Sequence, residues 1–279
     1  MYKYTLSLLL LGVTLMPMTI KEFVAKRKQE LSQEVAALDK KPTLLIIQAN
    51  DNPASDAYIR GKIKDASEIG ANAILRKFPI DISEEDLIKE IEKANNDPEI
   101  DGIIVQLPLG KHIKEANIKI AVSPKKDVDG FHPLTKFDPC TPKGIIDYLT
   151  EEGFAFEGKN AVVLGRSEIV GKPMAKLLLK KNCNVTMLHS KTTLEDKRFY
   201  IAHADLIVVA IGRLGYLNEE FEYKKDCVIV DVGINRGEDG KLHGDATPDL
   251  PVKIQTPVPG GVGLLTRLAL ICNLLETTK

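Results

Sequence analysis

Short, uninterrupted apolar segments recur along this chain of 279 residues, and they constrain its fold more than any other feature. The segments long enough to form a strand cover residues 43–47, 102–106, 161–164, 184–188, 205–210 and 227–231. A strand that is apolar at nearly every position is typical of a parallel sheet covered on both faces. Parallel strands need long connections, usually helices, so the sequence predicts an α/β fold.

Helix signals fill the stretches between these segments. The predicted helices run from Ser55 to Glu68 with Gly70 as the stop, from Ser83 to about Asn95, onward from Thr141–Pro142, and over 171–181. Their starts are residues that cap helices, and proline after Thr141 suits a first helical position. Strand and helix alternating in this way predict two doubly wound α/β lobes, joined in or near the helix after Thr141.

The predicted domains cover residues 1–144 and 145–260, with a last helix within 261–279. That helix carries a broad apolar face that must be buried against some other part of the protein: Leu264, Leu265, Leu268, Ala269, Cys272 and Leu275. With 44% hydrophobic residues, the chain is able to bury a core in each domain.

Charge and cysteine content narrow the classes of function. The chain has 38 Lys and Arg residues against 39 Asp and Glu, for a formal net charge of −1. Its sequence has no block of basic residues of the kind that binds a phosphate backbone. This argues against nucleic acid as a partner. The four cysteines are scattered, without a CxxC pair or a histidine at ligand spacing, so we expect free thiols, no metal site and a reducing cytoplasm.

The first eighteen residues contain a leucine run, Leu8 to Leu11, which resembles the apolar part of a signal peptide. No small-residue cleavage site follows, and the run is too short and broken to span a bilayer. We favour a buried opening strand, or a translation start upstream of the true one at Met18. We therefore expect a cytoplasmic protein without a membrane segment; a membrane-anchored form is the alternative.

A loop between a strand and a helix has the context of a dinucleotide site. Residues 165–173 follow the strand at 161–164 and precede the helix from Gly171. Glycines at Gly165 and Gly171 would let the backbone approach a pyrophosphate at the helix N-terminus. Ser167 and Val170 stand where a strict G-x-G-x-x-G has glycine, so a plain strand–helix turn is the alternative.

The end of the next strand indicates which dinucleotide is bound. An NAD site usually has Asp or Glu there for the ribose hydroxyls, whereas this strand is followed by His189, Ser190 and Lys191. Together with Arg166 in the loop, Ser190 and Lys191 favour the 2′-phosphate of NADP, although Lys191 would also suit a solvated surface. Gly212, Gly233 and Ile234 follow later strands and are expected to meet the nicotinamide half.

Four residues in the first half are candidates for a substrate site. Tyr58 and Lys62 are four apart on a predicted helix and so share a face. Gln106 ends a buried strand, where its amide can point into a cleft, and Asp129 lies in a tight turn. Taken alone, a Tyr–Lys pair of this spacing is more often a surface contact than a site, and a carboxylate in a tight turn is typical of ordinary turn chemistry.

Taken in order, the motifs resemble one family. They are residues 54–62 (ASDAYIRGK), 105–109 (VQLPL), 126–133 (KDVDGFHP), 139–144 (PCTPKG), 165–173 (GRSEIVGKP) and 256–263 (TPVPGGVG). Over about residues 40–275 the chain resembles the bifunctional methylenetetrahydrofolate dehydrogenase/methenyltetrahydrofolate cyclohydrolase family.

The resemblance implies an enzyme of one-carbon metabolism that serves purine biosynthesis. NADP would take a hydride from 5,10-methylenetetrahydrofolate, and water would open the methenyl product to 10-formyltetrahydrofolate. The implied fold has a Rossmann-type NADP-binding C-terminal lobe, folate in the cleft between the lobes, and a last helix packed back on the first lobe. A homodimer is also implied.

The resemblance assigns roles to particular residues. Lys62 would be the catalytic amine, Gln106 would position it, Tyr58 would pack on the folate rings, and Asp129 would hold the pterin. The residues implied to bind substrate are Tyr58, Gln106, Leu107, Asp129, Pro259 and Gly260. Those expected to bind cofactor are Gly165, Arg166, Ser167, Val170, Gly171, Ser190, Gly212, Gly233 and Ile234.

The chain departs from the family pattern in three places. It lacks the usual Asp-Gly-Lys opening, residues 134–138 form a shortened connection, and Leu264–Leu265 replaces the usual Pro-Met. Two alternatives stay open at this point: another two-lobed NADP-dependent dehydrogenase of shikimate or amino-acid type, and a folate-binding protein that has lost catalysis.

Overall fold

A computed structural model describes residues 18–279 of the chain. The leucine run, and with it both interpretations of the first seventeen residues, lies outside the described part. Within residues 18–279 no helix combines the length and the apolar character needed to cross a membrane.

The first lobe contains three parallel strands in the order β2-β1-β3. Its strands are β1 Thr43–Gln48, β2 Asn72–Lys77 and β3 Gly102–Gln106. Its helices are α1 Ile20–Ala36, α2 Pro53–Glu68, α3 Glu84–Asn96 and α4 Glu115–Ala121.

The second lobe contains five parallel strands. Its strands are β4 Asn160–Leu164, β5 Asn184–Leu188, β6 Leu206–Val209, β7 Val228–Asp231 and β10 Ile254–Gln255, with a small antiparallel pair β8 Asn235–Arg236 and β9 Leu242–His243. Its helices are α6 Gly171–Lys180 and α7 Leu194–Ala202; the linking and final helices are α5 Cys140–Glu151 and α8 Val262–Glu276.

Both faces of the first sheet are covered, as the continuous apolar run of β1 predicts. Leu44 and Ile46 belong to a core that includes buried residues of α1, α2 and α8. Leu45 and Ile47 on the opposite face pack in a separate core with α3. Successive side chains of a strand point to opposite faces, so a strand buried on both sides must be apolar throughout.

The second sheet has the strand order β10-β7-β6-β4-β5. From β4 the chain moves outward to β5, then crosses to the other side of β4 to form β6 and β7. Ligands in such sheets bind where the order reverses, at the carboxyl ends of the strands. The order is that of a Rossmann-type lobe and confirms the predicted fold class.

Helices α5 and α8 pack closely, and one glycine makes the approach possible. A Cβ atom on Gly144 of α5 would lie 2.5 Å from the carbonyl oxygen of Leu265 in α8. Leu265, one of the two residues at this departure from the family pattern, is fully buried. The core around these helices also includes β4 and β6 residues, so apolar packing continues from one lobe to the other.

Several predicted boundaries were wrong. Helix α2 begins at Pro53, capped by Asn52, whose side chain accepts from the N–H of Ala54; Ser55 is inside the helix. Helix α5 begins one residue before Thr141, with Pro139 at the N-cap. The Thr141 hydroxyl bonds to the hydroxyl of Thr266, 2.9 Å away, and is not a cap.

Candidate active site and dinucleotide cavity

The amine of Lys62 lies where helix α2 faces the end of strand β3. It projects from α2 toward the carboxyl end of β3 and donates to Oε1 of Gln106 at 3.0 Å. Gln106 in turn donates through Nε2 to the carbonyl of Leu107 at 2.7 Å, which fixes the orientation of its amide. Lys62 is only 7% exposed, so little water surrounds its amine. Its hydrogen-bond acceptor, the Gln106 side chain, is neutral.

Burial is the main influence on the ionisation of this cluster. Loss of solvation lowers the pKa of Lys62, while the negative charge of Asp129 and the neighbouring Cys140 act against that shift. Burial also raises the pKa of Asp129, which Lys62 opposes. Burial disfavours the charged form of a lysine, so Lys62 holds its proton less tightly than a surface lysine does.

Two carboxylates in the turn after β3 have different surroundings. Asp127 accepts from the backbone N–H of His132 at 2.6 Å and of Gly130 at 3.2 Å, so it fixes the turn. Asp129 instead lies beside the Cys140 thiol and Lys62. The acceptor capacity of Asp129 is therefore left for a ligand, whereas that of Asp127 is used within the protein.

A cavity of about 230 Å³ lies between the lobes. On one side it is lined by Tyr58 of α2, whose ring centroid is 5.8 Å from the amine of Lys62. On the other side it is lined by Gly233 and Ile234. Pro259 and Gly260 complete the wall, so predicted substrate residues and predicted nicotinamide residues meet at one cleft.

The predicted substrate residues do not all face that cavity. Leu107 and Asp129 line a separate narrow space of about 20 Å³ beside β3. Lys62 and Gln106 lie between the two spaces through their contacts with Tyr58 and Leu107. The Lys62–Gln106 pair therefore contacts one lining residue of each space.

A larger cavity of about 500 Å³ opens at the carboxyl end of β4, where the strand order reverses. Four predicted cofactor residues line it, namely Gly165, Arg166, Ser167 and Ser190. The other lining residues are Leu164, Leu188, His189, Lys197, Ala210, Ile211, Arg213 and Tyr216. Three of the lining residues are permanently cationic and none is acidic, a composition that suits a phosphorylated ligand.

Sequence reasoning missed several residues of this cavity. Lys197 comes from α7 and Arg213 from the turn after β6, and their charged groups lie 5.9 and 5.7 Å from the ring centre of Tyr216. No local motif marks them, because only the packing of α7 and that turn brings them beside Arg166. Lys191, predicted as a phosphate donor, is exposed and is not among the lining residues.

The predicted loop residues Val170 and Gly171 make hydrogen bonds within the loop. Their N–H groups both donate to the hydroxyl of Ser167 at 3.2 Å, so Ser167 satisfies the start of α6. A Cβ on Gly171 would meet the carbonyl oxygen of Gly165 at 2.4 Å. Gly171 is therefore required for close loop–helix packing, the role of a third glycine in such loops.

Gly165 is required by its backbone conformation. Its φ is +119°, a region that favours glycine, and a Cβ there would lie 2.4 Å from the carbonyl oxygen of Ala210. Gly212, two residues further on, is adjacent to the lining residues Ile211 and Arg213 without being one itself.

Among residues 18–279 no group of three or more His, Cys, Asp and Glu is placed to hold a metal ion. All four cysteines are free thiols, and burial raises the pKa of Cys227 to about 12 and of Cys272 to about 11.

The chain is similar to known proteins along almost all of its length. Residues 18–129 match the profile described as tetrahydrofolate dehydrogenase/cyclohydrolase, catalytic domain, and residues 139–279 match the NAD(P)-binding domain of the same family. The bifunctional protein FolD of Streptococcus thermophilus is 46% identical over 274 residues, covering 92% of this chain and 94% of that protein.

Solved structures agree with the sequence matches. The bifunctional FolD methylenetetrahydrofolate dehydrogenase/cyclohydrolase of Campylobacter jejuni has a TM-score of 0.88 and 37% identity, covering 92% of this chain and 96% of that one. The Trypanosoma brucei enzyme, solved with NADP cofactor and inhibitor, has a TM-score of 0.88 and 30% identity, covering 94% and 96%. The chain therefore belongs to the tetrahydrofolate dehydrogenase/cyclohydrolase family.

Proposed function

We propose that this protein oxidises 5,10-methylenetetrahydrofolate to the methenyl form with NADP, and then hydrolyses that product to 10-formyltetrahydrofolate. The observation that carries the proposal is the buried Lys62–Gln106 pair, which lies beside Tyr58 at the cleft that Gly233 and Ile234 also line. A proton-transfer group and a dinucleotide lobe thus meet at one site, as two successive reactions on one substrate require.

The cavity at the carboxyl end of β4 fits NADP. Arg166, Lys197 and Arg213 supply permanent positive charge, and Ser190 adds a hydroxyl donor. A carboxylate for the ribose hydroxyls of NAD is absent from the lining of this cavity. We infer that Arg166, with Ser190, holds the 2′-phosphate, and that Lys197 and Arg213 add to the attraction.

The oxidation depends mainly on alignment. The nicotinamide supplies the hydride acceptor when NADP is bound. Asp129 would accept two parallel hydrogen bonds from the pterin amino group and ring N–H, while Tyr58 packs on the ring system. Leu107, Pro259 and Gly260 would bound the folate, and Gly233 and Ile234 would meet the cofactor. Held in this way, the donor carbon needs no further group on the protein to lose its hydride.

The hydrolysis needs proton transfer, and Lys62 is the group suited to it. Burial lowers the pKa of Lys62, which increases the fraction present as the neutral amine. The amine accepts a proton from the water that attacks the methenyl carbon. The protonated amine then gives its proton to N5 of the folate as the bond between N5 and that carbon breaks, and the hydroxyl on the carbon loses its proton to solvent, leaving the formyl group on N10. Gln106 is a positioning residue, because its Oε1 holds the amine in place.

We also propose the domain division made from the sequence, with a folate-binding domain over 1–144, an NADP-binding domain over 145–260, and residues 261–279 returning to the first. In support, α8 packs on α1, α2 and α5.

A homodimer is proposed through the NADP-binding domain. Strand β5 ends the strand order of its sheet, and Leu194 and Phe199 of the next helix are 55% and 57% exposed.

We propose the reducing cytoplasm as the site of action, in keeping with four free thiols.

A substrate panel tests the proposed function. Purified protein is supplied with NADP and, in turn, 5,10-methylenetetrahydrofolate, shikimate and amino acids. Reduction of NADP with the folate alone supports the proposal. Reduction with shikimate or an amino acid, and none with the folate, would replace it by the alternative dehydrogenase.

A further inference from the structure

Asp245 is a fully buried carboxylate outside the catalytic cluster. It follows β9 and reaches the turn after β6. Its Oδ2 accepts the backbone N–H of Ile211 at 2.7 Å and of Gly212 at 2.9 Å, and its Oδ1 accepts that of Arg213 at 2.8 Å. Oδ1 also accepts the side-chain amide of Asn235 at 2.9 Å. One carboxylate thus receives hydrogen bonds from three consecutive residues of the turn.

Only an acceptor with no proton of its own suits this position. Three backbone N–H groups and one amide N–H converge on the two oxygens, and an ionised carboxylate has acceptor capacity for all of them. An amide in its place would aim an N–H at one pair of donors and leave them unsatisfied in the interior.

The turn held by Asp245 belongs to the dinucleotide cavity. Ile211 and Arg213 line that cavity, and the guanidinium of Arg213 lies beside Tyr216 within it. The placement of the turn therefore sets where the cation of Arg213 stands relative to a bound phosphate.

A second buried carboxylate fixes Asp245 itself. Asp231, at the end of β7, accepts the N–H of Asp245 at 3.0 Å and of Ala246 at 2.8 Å, and also that of Gly233 at 2.9 Å. Asp231 lines the cavity between the lobes. The two carboxylates connect the wall of the interlobe cavity to the wall of the dinucleotide cavity.

Two glycines leave room for the side chains of Asp245 and Asp231. A Cβ on Gly233 would lie 2.3 Å from Oδ1 of Asp245, and a Cβ on Gly244 would overlap Oδ2 of Asp231. Gly233, predicted as a cofactor contact, is thus also required for the approach of the Asp245 side chain. Backbone and side chains on both sides of the turn are shaped around the two carboxylates.

We propose that Asp245 is a positioning residue for the dinucleotide, acting through the 211–213 turn. The inference rests on the proposed function, because it takes NADP as the ligand of the cavity. Asp245 touches none of the folate residues. Its effect is on NADP affinity, and the hydrolytic step at Lys62 is independent of it.

The test compares Asp245→Asn with the full-length wild-type chain. The dissociation constant for NADP, measured by calorimetry, should rise about tenfold, as loss of one or two buried hydrogen bonds to a charged group implies. Hydrolysis of added methenyltetrahydrofolate should change by less than about twofold, since that reaction is remote from the turn. Unchanged NADP affinity would overturn the inference, and so would a parallel loss of both properties.

A double variant that conserves the net charge provides a second test if the single variant folds poorly. In Asp245→Asn combined with Asn235→Asp, the amide introduced at 245 can donate to the carboxylate introduced at 235. The double variant should bind NADP more tightly than Asp245→Asn and more weakly than wild type. Affinity no better than that of the single variant, or equal to wild type, would contradict the assigned hydrogen-bond pattern.

Direct NADP binding separates this inference from the proposed function. A wild-type protein that binds NADP without oxidising 5,10-methylenetetrahydrofolate would refute the proposed function while leaving the turn testable. An active wild type whose Asp245→Asn variant binds NADP normally would refute the inference alone.

Discussion

The amine of Lys62 donates to the side-chain oxygen of Gln106 at 3.0 Å, across 44 positions of the sequence. The contact joins α2 to the carboxyl end of β3 beside Tyr58. Burial lowers the pKa of Lys62, and its hydrogen-bond partner is neutral, so more of the amine is present in the unprotonated form than if it were paired with a carboxylate. This pair is the basis of the hydrolytic step.

Replacement of this lysine tests that step. We expect Lys62→Met to slow methenyl hydrolysis at least about 100-fold, the lower range for loss of a general acid–base group. NADP binding should be nearly intact, because the cavity at β4 is lined by other residues. The matched control is Lys64→Met on the same helix, where the side chain is 74% exposed and paired only with Glu68. Full hydrolysis by Lys62→Met would remove the amine from the mechanism.

The pH dependence of hydrolysis should follow the ionisation of Lys62. Since the neutral amine is the active form, the rate constant should rise with pH and level off above a pKa that burial has lowered. Asp129 opposes that lowering, so Asp129→Asn should move the rising limb to still lower pH. A pH–rate profile corrected for the uncatalysed reaction gives the answer. A limb that stays in place or moves to higher pH would show that another group titrates.

The two carboxylates of the turn after β3 should respond differently to the same change. Asp129→Asn should weaken folate binding roughly 10- to 100-fold, as loss of a charge-assisted hydrogen bond implies. Asp127→Asn should instead lower the unfolding free energy, because its oxygens accept backbone N–H groups of the turn. Folate titration and urea unfolding of both variants separate the effects. An unchanged folate dissociation constant in Asp129→Asn would refute the pterin role.

Cofactor preference should depend on the cation that lines the cavity. We expect Arg166→Ala to reduce the preference for NADP over NAD by about tenfold or more, since a charged hydrogen bond to phosphate is lost. Lys191→Ala is the matched control, because Lys191 is exposed and outside the lining. The ratio of kcat/KM for the two cofactors is the measurement. If both variants kept the wild-type ratio, the 2′-phosphate would be bound elsewhere.

The close contact of α5 and α8 gives a prediction about stability. Gly144→Ala would place a methyl group 2.5 Å from the carbonyl oxygen of Leu265, and the helices would have to separate. Overpacking of this kind costs about 1–3 kcal/mol of unfolding free energy. Urea unfolding measures it directly. A variant as stable as wild type would mean that α8 shifts without cost and that its docking is loose.

The buried strands were the most predictable part of the fold. In β1, β3, β4, β6 and β7 the apolar run and the strand nearly coincide, because both faces of each sheet require apolar residues there. Strand β2 escaped prediction. It lies at the edge of its sheet, its side chains are largely exposed, and it ends in Arg76 and Lys77, so no apolar run marks it.

Helix starts were less predictable, because side chains that suit a cap also make tertiary contacts. Thr141 has the composition of a cap, yet its hydroxyl bonds to Thr266 of α8. At α2 the signal was present in Asn52 followed by Pro53, and it was the more distant Ser55 that misled. Helix α1 was missed although Thr19 and Glu22 form a capping box.

The candidate site was predictable wherever a motif holds it. Tyr58, Lys62, Gln106 and Asp129 were predicted in this way, and the structure brings the first three into contact. Lys197 and Arg213 could not be found, because their approach to Tyr216 depends on how α7 and the turn after β6 pack. Asp245 was missed for the same reason: its partners in the turn after β6 are more than thirty residues earlier in the chain.

The most direct test follows NADPH formation and methenyl absorbance together after 5,10-methylenetetrahydrofolate is added to the purified protein with NADP. We predict NADPH formation with little accumulated methenyl product, and 10-formyltetrahydrofolate at the end. Accumulation of the methenyl compound would contradict the role of Lys62 in hydrolysis. Absence of NADPH would contradict the proposed function as a whole.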